Sequence, residues 1–192
     1  MAPLIYLLGE LISSLAWTQP DYHYLSNFIS DLGVPIITRA IDSPLYYVMN
    51  TGFVLYGILF ILAIYLLKGL FTKHNNFIFS LASIEGLGII LVGFFPGYQW
   101  WGAVFHGIGA TMAIVGGNVF LILIGKFIAQ QARSKKFTYF SYLLGAIGLL
   151  SFIICLLITS MTEYAATFER LSVYTIMLWD FVLAGYLIRK IS

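Results

Sequence analysis

Residues 45–67 read LYYVMNTGFVLYGILFILAIYLL, a run without a single charge. As a helix rising 1.5 Å per residue it spans about 34 Å, enough to cross a hydrocarbon core of about 30 Å. Ser43-Pro44 precedes it with suitable start chemistry, serine as N-cap and proline at the first helical position. Four further runs of this kind occupy about 77–97, 101–125, 138–159 and 171–188. Ala2 to Trp17 forms a sixth candidate, but it covers only about 24 Å and Glu10 interrupts it. Ser14-Leu15-Ala16 is a weak signal-peptide cleavage site, yet the basic n-region of a signal peptide is missing. A short, tilted first helix is the reading kept. The expectation is an all-α fold: a polytopic membrane bundle of six transmembrane helices, with a long, partly helical first outer loop. It forms a single integral membrane domain over residues 1–192.

Composition supports that reading. The chain is 60% hydrophobic, 17% aromatic and only 9% charged, against about 25% charged residues in soluble domains. A soluble enzyme and a disordered chain are excluded. Ten Lys and Arg against eight Asp and Glu leave no basic excess to follow a phosphate backbone, so no nucleic-acid partner is expected. The lone Cys155 rules out an internal disulfide, a CxxC redox site and a cysteine-rich metal site. No HExxH, G-x-S-x-G or P-loop lysine motif occurs. No metal site is expected, and no cofactor is specified.

Charge placement sets an orientation. Lys68, Lys73, Lys126, Arg133, Lys135, Lys136, Arg189 and Lys190 share one side of a six-span threading, and only Arg39 and Arg170 lie opposite. The positive-inside rule makes the first side cytoplasmic. A multi-pass protein of the cell membrane with both termini in the cytoplasm is expected. Asp21, Asp31, Asp42, Glu163 and Glu169 then belong to the outer face.

On that face, Leu25, Phe28, Ile29 and Leu32 recur at i, i+3, i+4 and i+7, one face of a short helix. Gly33 and Pro35 end it. The segment is either an interfacial anchor or a lid presenting Asp31 to a site. Asn50, early in the second span, suits an interhelical hydrogen bond. His106 lies about 8 Å below the aromatic belt, among Gly102, Ala103, Gly107, Gly109, Ala110, Ala113, Gly116 and Gly117. Such small residues let neighbouring backbones approach closely, so this span should be central. His106 either donates to a backbone carbonyl or serves as a proton shuttle or ligand. Arg170 can pair with Asp31 or Glu169, stabilising the loops or binding an anionic head group. Glu169 and Asp180 are eleven residues apart, only 20° from full turns, and therefore share a helix face.

Glu10, Glu85 and Asp180 fall near mid-membrane with no Lys or Arg at that depth. Acids there are costly unless hydrogen-bonded, protonated or facing a hydrated cavity. Structural hydrogen bonding, a proton or cation pathway and a polar substrate cavity are all open. Packing of the first, third and sixth helices would join the three acids into one polar column.

Ile29-Ser-Asp-Leu-Gly33, Ser43-Pro44 leading to Asn50-Thr-Gly52, Leu91-Val-Gly-Phe-Phe-Pro96, His106-Gly107 and Glu169-Arg170 occur in that order. Over most of its length the chain thereby resembles a prokaryotic membrane family catalogued as domain of unknown function 998. That family is distantly similar to the Frag1/DRAM/Sfk1 group, which includes proteins of GPI-lipid remodelling and membrane organisation. The similarity implies a lipid-related role by analogy alone. The short first helix departs from the fuller first span that the family implies.

The leading expectation is a six-span protein whose outward-facing polar pocket binds or processes a lipid or amphipathic small molecule. His106, Glu169 and Asp31 are its catalytic candidates, and Arg170, Asn50 and Arg39 its substrate-binding candidates. If it is an enzyme, hydrolysis or group transfer at a lipid head group is the class. One alternative is a non-enzymatic accessory subunit of a larger membrane complex. A further one is a proton- or cation-coupled transporter using Glu10, Glu85 and Asp180. Membrane lipids, and on the second reading other membrane subunits, are the partners.

Overall fold

Each apolar run becomes a helix in the computed structural model, which describes residues 2–17, 20–35, 43–67, 75–98, 100–132 and 135–191. The helices are α1 (Ala2–Ala16), α2 (Tyr46–Leu66), α3 (Asn75–Phe94), α4 (Trp100–Ala132), α5 (Lys135–Ile158) and α6 (Ala165–Ile191). No strand occurs among the described residues. Helices α2 to α6 are long and apolar enough to cross a membrane, whereas α1 is a shorter apolar helix of about 22 Å. Five long helices and one short one are present, the short one where the sequence reads as a short, tilted first helix.

Two helices extend beyond their apolar runs. Helix α6 begins at Ala165, ahead of its apolar run at 171–188, because fully buried Ala165 and Ala166 seat its first turn in the bundle. Helix α4 runs on to Ala132, since the residues after its apolar run (Lys126, Gln130, Gln131 and Ala132 among them) are good helix formers.

Consecutive helices pack side by side, and α6 returns to touch α4 and, lightly, α1. Small residues set the approach. A Cβ on Gly9 would lie 3.6 Å from the Gly52 Cα, which places α1 backbone directly on α2. A Cβ on Gly109 would meet the Gly88 carbonyl oxygen at 2.7 Å, so α3 and α4 are equally close. Helix α6 comes close to α5 but scarcely approaches α2 or α3, and cavities occupy the space between. Ala2, Pro3, Leu66, Leu67 and Leu187 line one of these cavities, so both ends of the described chain sit at the same end of the bundle.

The core has two halves. One gathers Tyr6, Ile29, Leu32, Met49, Phe53 and Val92 at the end that carries the first loop. The other gathers Phe60, Ile78, Phe120, Ile124 and Trp179 towards the opposite end.

The first loop is less helical than expected. Among its described residues only Ser30–Gly33 is helical, as a 3₁₀ turn. Asn27 Oδ1 accepts the His23 N–H at 2.9 Å and Asp31 Oδ2 accepts the Phe28 N–H at 3.0 Å. These local side-chain bonds compete with helix formation. The expected apolar face breaks at Leu25, which is exposed, while Ile29 and Leu32 are buried. Ser43 does not cap α2; its hydroxyl donates to the Leu32 carbonyl at 2.7 Å. Among the described residues Asn50 finds no partner on another α-helix; it donates to the Gly33 carbonyl at 2.8 Å. Both polar groups at the start of α2 thus hold the loop.

Candidate functional site

The second turn of α6 straps the first loop to the bundle. Glu169 Oε2 accepts the Ile29 N–H at 2.6 Å, and Thr167 donates to the Leu25 carbonyl at 2.8 Å. Arg170 is 6% exposed and donates to the Asn27 carbonyl and to the Tyr22 hydroxyl. Its guanidinium lies 5.0 Å from the Tyr24 ring centroid, within cation–π range. Its Nε is 3.4 Å from Glu10 Oε1. The Tyr174 hydroxyl lies 2.8 Å from each Glu10 oxygen.

Glu10 is therefore not an unpaired membrane acid. It is 2% exposed, and its partner is Arg170 rather than the expected Asp31 or Glu169 pairing for that arginine. The three-acid column does not form, because α1 packs chiefly on α2 and not on α3. Asp31 lies in the loop with its carboxylate on the Phe28 N–H. Burial pushes its pKa up, against the opposing effects of that N–H and of Arg170. Arg39 lies outside the described residues.

Beneath the loop, a narrow shaft runs between α2, α3, α4 and α6. Ile29 and Ser30 roof it, with His106 and Glu169 near the roof and Tyr56 and Glu85 at its floor. Its water-accessible space is about 50 Å³, room for about three or four water molecules. From Val92 to Glu85, both in its wall, the shaft descends about 10 Å. His106 Nδ1 is 2.9 Å from the Phe95 carbonyl oxygen. A carbonyl only accepts, so Nδ1 carries a proton, and in the neutral ring Nε2 is left as an acceptor. The structure thus brings His106, Glu169 and Glu85 to one cavity, while Arg170 and Glu10 face α1 and the loop.

At the floor, the Tyr56 hydroxyl is 3.2 Å from Glu85 Oε1 and 3.0 Å from Asp180 Oδ2. Glu85 is 1% exposed, and its second oxygen has no hydrogen-bond partner among the described residues. Gly117 makes room for it: a Cβ there would lie 3.0 Å from Glu85 Cδ. Sequence reasoning missed Tyr56, and also Tyr22, Tyr24 and Tyr174 around Arg170. A tyrosine in an apolar run reads as an aromatic. The one usable signal is that a buried tyrosine hydroxyl needs a partner, and the buried acids are the partners available. Among the described residues no three His, Cys, Asp or Glu side chains converge on a metal site.

A family model described as "Protein of unknown function (DUF998)" matches residues 1–186. No curated protein and no solved structure matches the chain.

Proposed function

The chain belongs to the family described as protein of unknown function (DUF998), and we propose that it binds a lipid or amphipathic small molecule in the shaft beneath its first loop. In this reading all six helices cross the cell membrane, the termini are cytoplasmic and the shaft faces outward, as the distribution of Lys and Arg argues. The observation that carries it is the chemistry of the shaft. Phe53, Ile89, Val92, Ile176 and Met177 form apolar walls, and His106, Glu169 and Ser30 sit at the roofed end. Apolar walls with a few converging polar groups are the usual form of a small-molecule site. An acyl or other apolar portion would lie along the walls, and a polar end would meet His106 Nε2.

The strapped loop is the closed state of such a site. A space of about 50 Å³ admits water, so a larger ligand enters by displacing residues 20–35. Should the protein act on its ligand, His106 Nε2 is the base, and hydrolysis or group transfer at a head group is the reaction class.

The test is ligand-dependent thermal stabilisation of the purified full chain, with phospholipids of defined head group added to lipid-depleted micelles. A ligand at 100 times its Kd stabilises by about 2.7 kcal/mol, or about 5–11 °C in a chain of this size. His106→Gln should remove most of that shift, and Ala113→Phe, which fills the wall, should abolish it. An unshifted wild type across the lipid panel, or equal shifts in all three proteins, overturns the proposal.

A further inference from the structure

A second cavity, of about 340 Å³, continues below the shaft towards the opposite end of the bundle. Asp180 stands in its lining with Leu59, Leu67 and Leu187, and Ala2 closes one side. Glu85 lines only the upper shaft and Asp180 only the lower cavity. The hydroxyl of Tyr56, bonded to both carboxylates, is the polar link between them. On α6 the lower cavity runs from Asp180 to Leu187, about 10 Å. Two half-channels of similar depth therefore meet at one phenol.

The bonding at that junction has a definite proton count. A phenol donates one hydrogen and can accept another. Two carboxylates cannot both be hydrogen-bonded to one phenol unless one of them carries a proton. No described lysine or arginine faces the trio; the chain's amino group is the cation that acts on Asp180, and none acts on Glu85, so nothing holds both acids ionised. Helix α4 presents Gly117 to Glu85. Helix α1 presents the Tyr6 ring, 5.8 Å from the Tyr56 ring centroid. On α6 the two arginines, Arg170 and Arg189, are ten and nine residues from Asp180, about 15 and 14 Å along the axis, and Arg170 is paired with Glu10. The second Glu85 oxygen, buried and without a partner, is placed to exchange a proton with water in the shaft.

We propose that Tyr56 relays a proton between Glu85 and Asp180, making the trio the mid-membrane step of a proton path between the two cavities. In the starting state Glu85 is protonated and donates to the Tyr56 oxygen, while the Tyr56 hydroxyl donates to ionised Asp180. Glu85 gives its proton to the phenol oxygen as the phenol gives its own to Asp180. One proton has moved, Glu85 is ionised, Asp180 is neutral and Tyr56 is unchanged. Asp180 then releases the proton to water in the lower cavity, and Glu85 reloads from the shaft. Rotation of the Tyr56 C–O bond returns the hydroxyl to its first direction. The path works in either direction. A single phenol oxygen within hydrogen-bond distance of each carboxylate suits the passage of a proton. This reading is independent of ligand binding at the roofed end.

The full chain is reconstituted in liposomes enclosing a pH-sensitive dye, and a potassium diffusion potential is imposed with valinomycin. Proton flux should exceed that of protein-free vesicles. Tyr56→Phe keeps the ring and its packing on Phe60 and should lower the flux at least tenfold, as should Asp180→Asn and Glu85→Gln. Monodispersity and thermal unfolding identify any variant that fails to fold. The infrared band of the protonated Glu85 carboxyl should be present in wild type, be lost in Glu85→Gln and shift in Asp180→Asn. Wild-type flux no faster than that of empty vesicles overturns the relay. So does a folded Tyr56→Phe protein conducting at the wild-type rate.

Discussion

Removing Arg170 tests whether the strap over the shaft is held by a buried charge pair or by the loop's own packing. Arg170→Met preserves much of the side-chain volume and deletes the guanidinium that meets Glu10, the Asn27 carbonyl, Tyr22 and Tyr24. Breaking a buried pair by removing one partner costs about 3–5 kcal/mol. Glu10 keeps its Tyr174 hydroxyl contact, which favours the lower end, about 3 kcal/mol. At about 2–4 °C per kcal/mol for a chain of this size, unfolding should shift down by about 6–12 °C. Glu10→Gln leaves Arg170 buried but still bonded to Asn27 and Tyr22, and should cost about 1–3 kcal/mol. In the double variant no buried charge is stranded, so the loss should be smaller than the sum by about 1.5–3 kcal/mol. Arg170→Lys should recover little, because one ammonium cannot reproduce the guanidinium fork across three partners. Circular dichroism in detergent measures the unfolding, and hydrogen exchange at the Ile29 amide reports whether the loop has lifted. Additivity within about 0.5 kcal/mol, or wild-type protection of Ile29 in Arg170→Met, would refute the reasoning.

Asp31→Asn should raise stability at neutral pH, since burial holds the Asp31 carboxyl above its ordinary pKa and an amide oxygen can still accept the Phe28 N–H. The sign follows from linkage. The wild type is at its best below about pH 4, where the unfolded carboxyl is also protonated. It loses stability as pH rises through the elevated folded value. Unfolding curves of the two proteins should converge in acid and separate towards neutrality; parallel curves contradict this. Gly52→Leu should cost about 1–3 kcal/mol by forcing α1 off α2 at the Gly9 contact. In Gly107→Ala, by contrast, the new methyl meets open space and should gain up to about 1 kcal/mol of helix propensity; thermal unfolding separates the two. Ser141→Ala strands the buried Trp179 indole N–H, now 2.7 Å from the Ser141 hydroxyl, and should cost about 1–3 kcal/mol, with a change in tryptophan fluorescence.

The helices were legible because membrane length and apolarity coincide within each run, and 45–67 needs nothing outside itself to be read. The contacts of the start of α6 were not. Glu169 reads as sharing a helix face with Asp180, but the partners of Thr167, Glu169 and Arg170, which are Leu25, Ile29 and Asn27, come from the far end of the chain. For the same reason Asn50 and Ser43 were read as helix chemistry when they hold a loop. Periodicity also misled between Leu25 and Leu32. It records which side chains are apolar, whereas Asn27 and Asp31 decide the backbone there through bonds to His23 and Phe28. Charges could be counted by depth, but their pairing depends on which helices touch. Glu10 found Arg170 because α6 returns past α1, a contact no local pattern encodes.

What the sequence did fix is the angular arrangement along α6, and the candidate sites follow from it. Successive residues turn by 100°, so neighbours Glu169 and Arg170 diverge at once. Arg170 and Tyr174, at i and i+4, look towards Glu10. Glu169, Val173, Ile176 and Met177 look into the shaft, and Asp180 continues that face into the lower cavity. One helix thus carries the latch on one stripe and one carboxylate of each cavity, Glu169 and Asp180, on the next. The stripe of Glu169 and Asp180 is close to in register over three turns, which lets a straight helix serve the roof and the floor together. Tyr56 then completes the floor from α2, across a gap that the backbones of α2 and α6 leave open. An alanine inserted between Tyr174 and Thr175 would turn Asp180 by 100° out of reach of Tyr56 while leaving Arg170 and Tyr174 on Glu10. Loss of the relay with retention of the latch is the outcome this geometry requires.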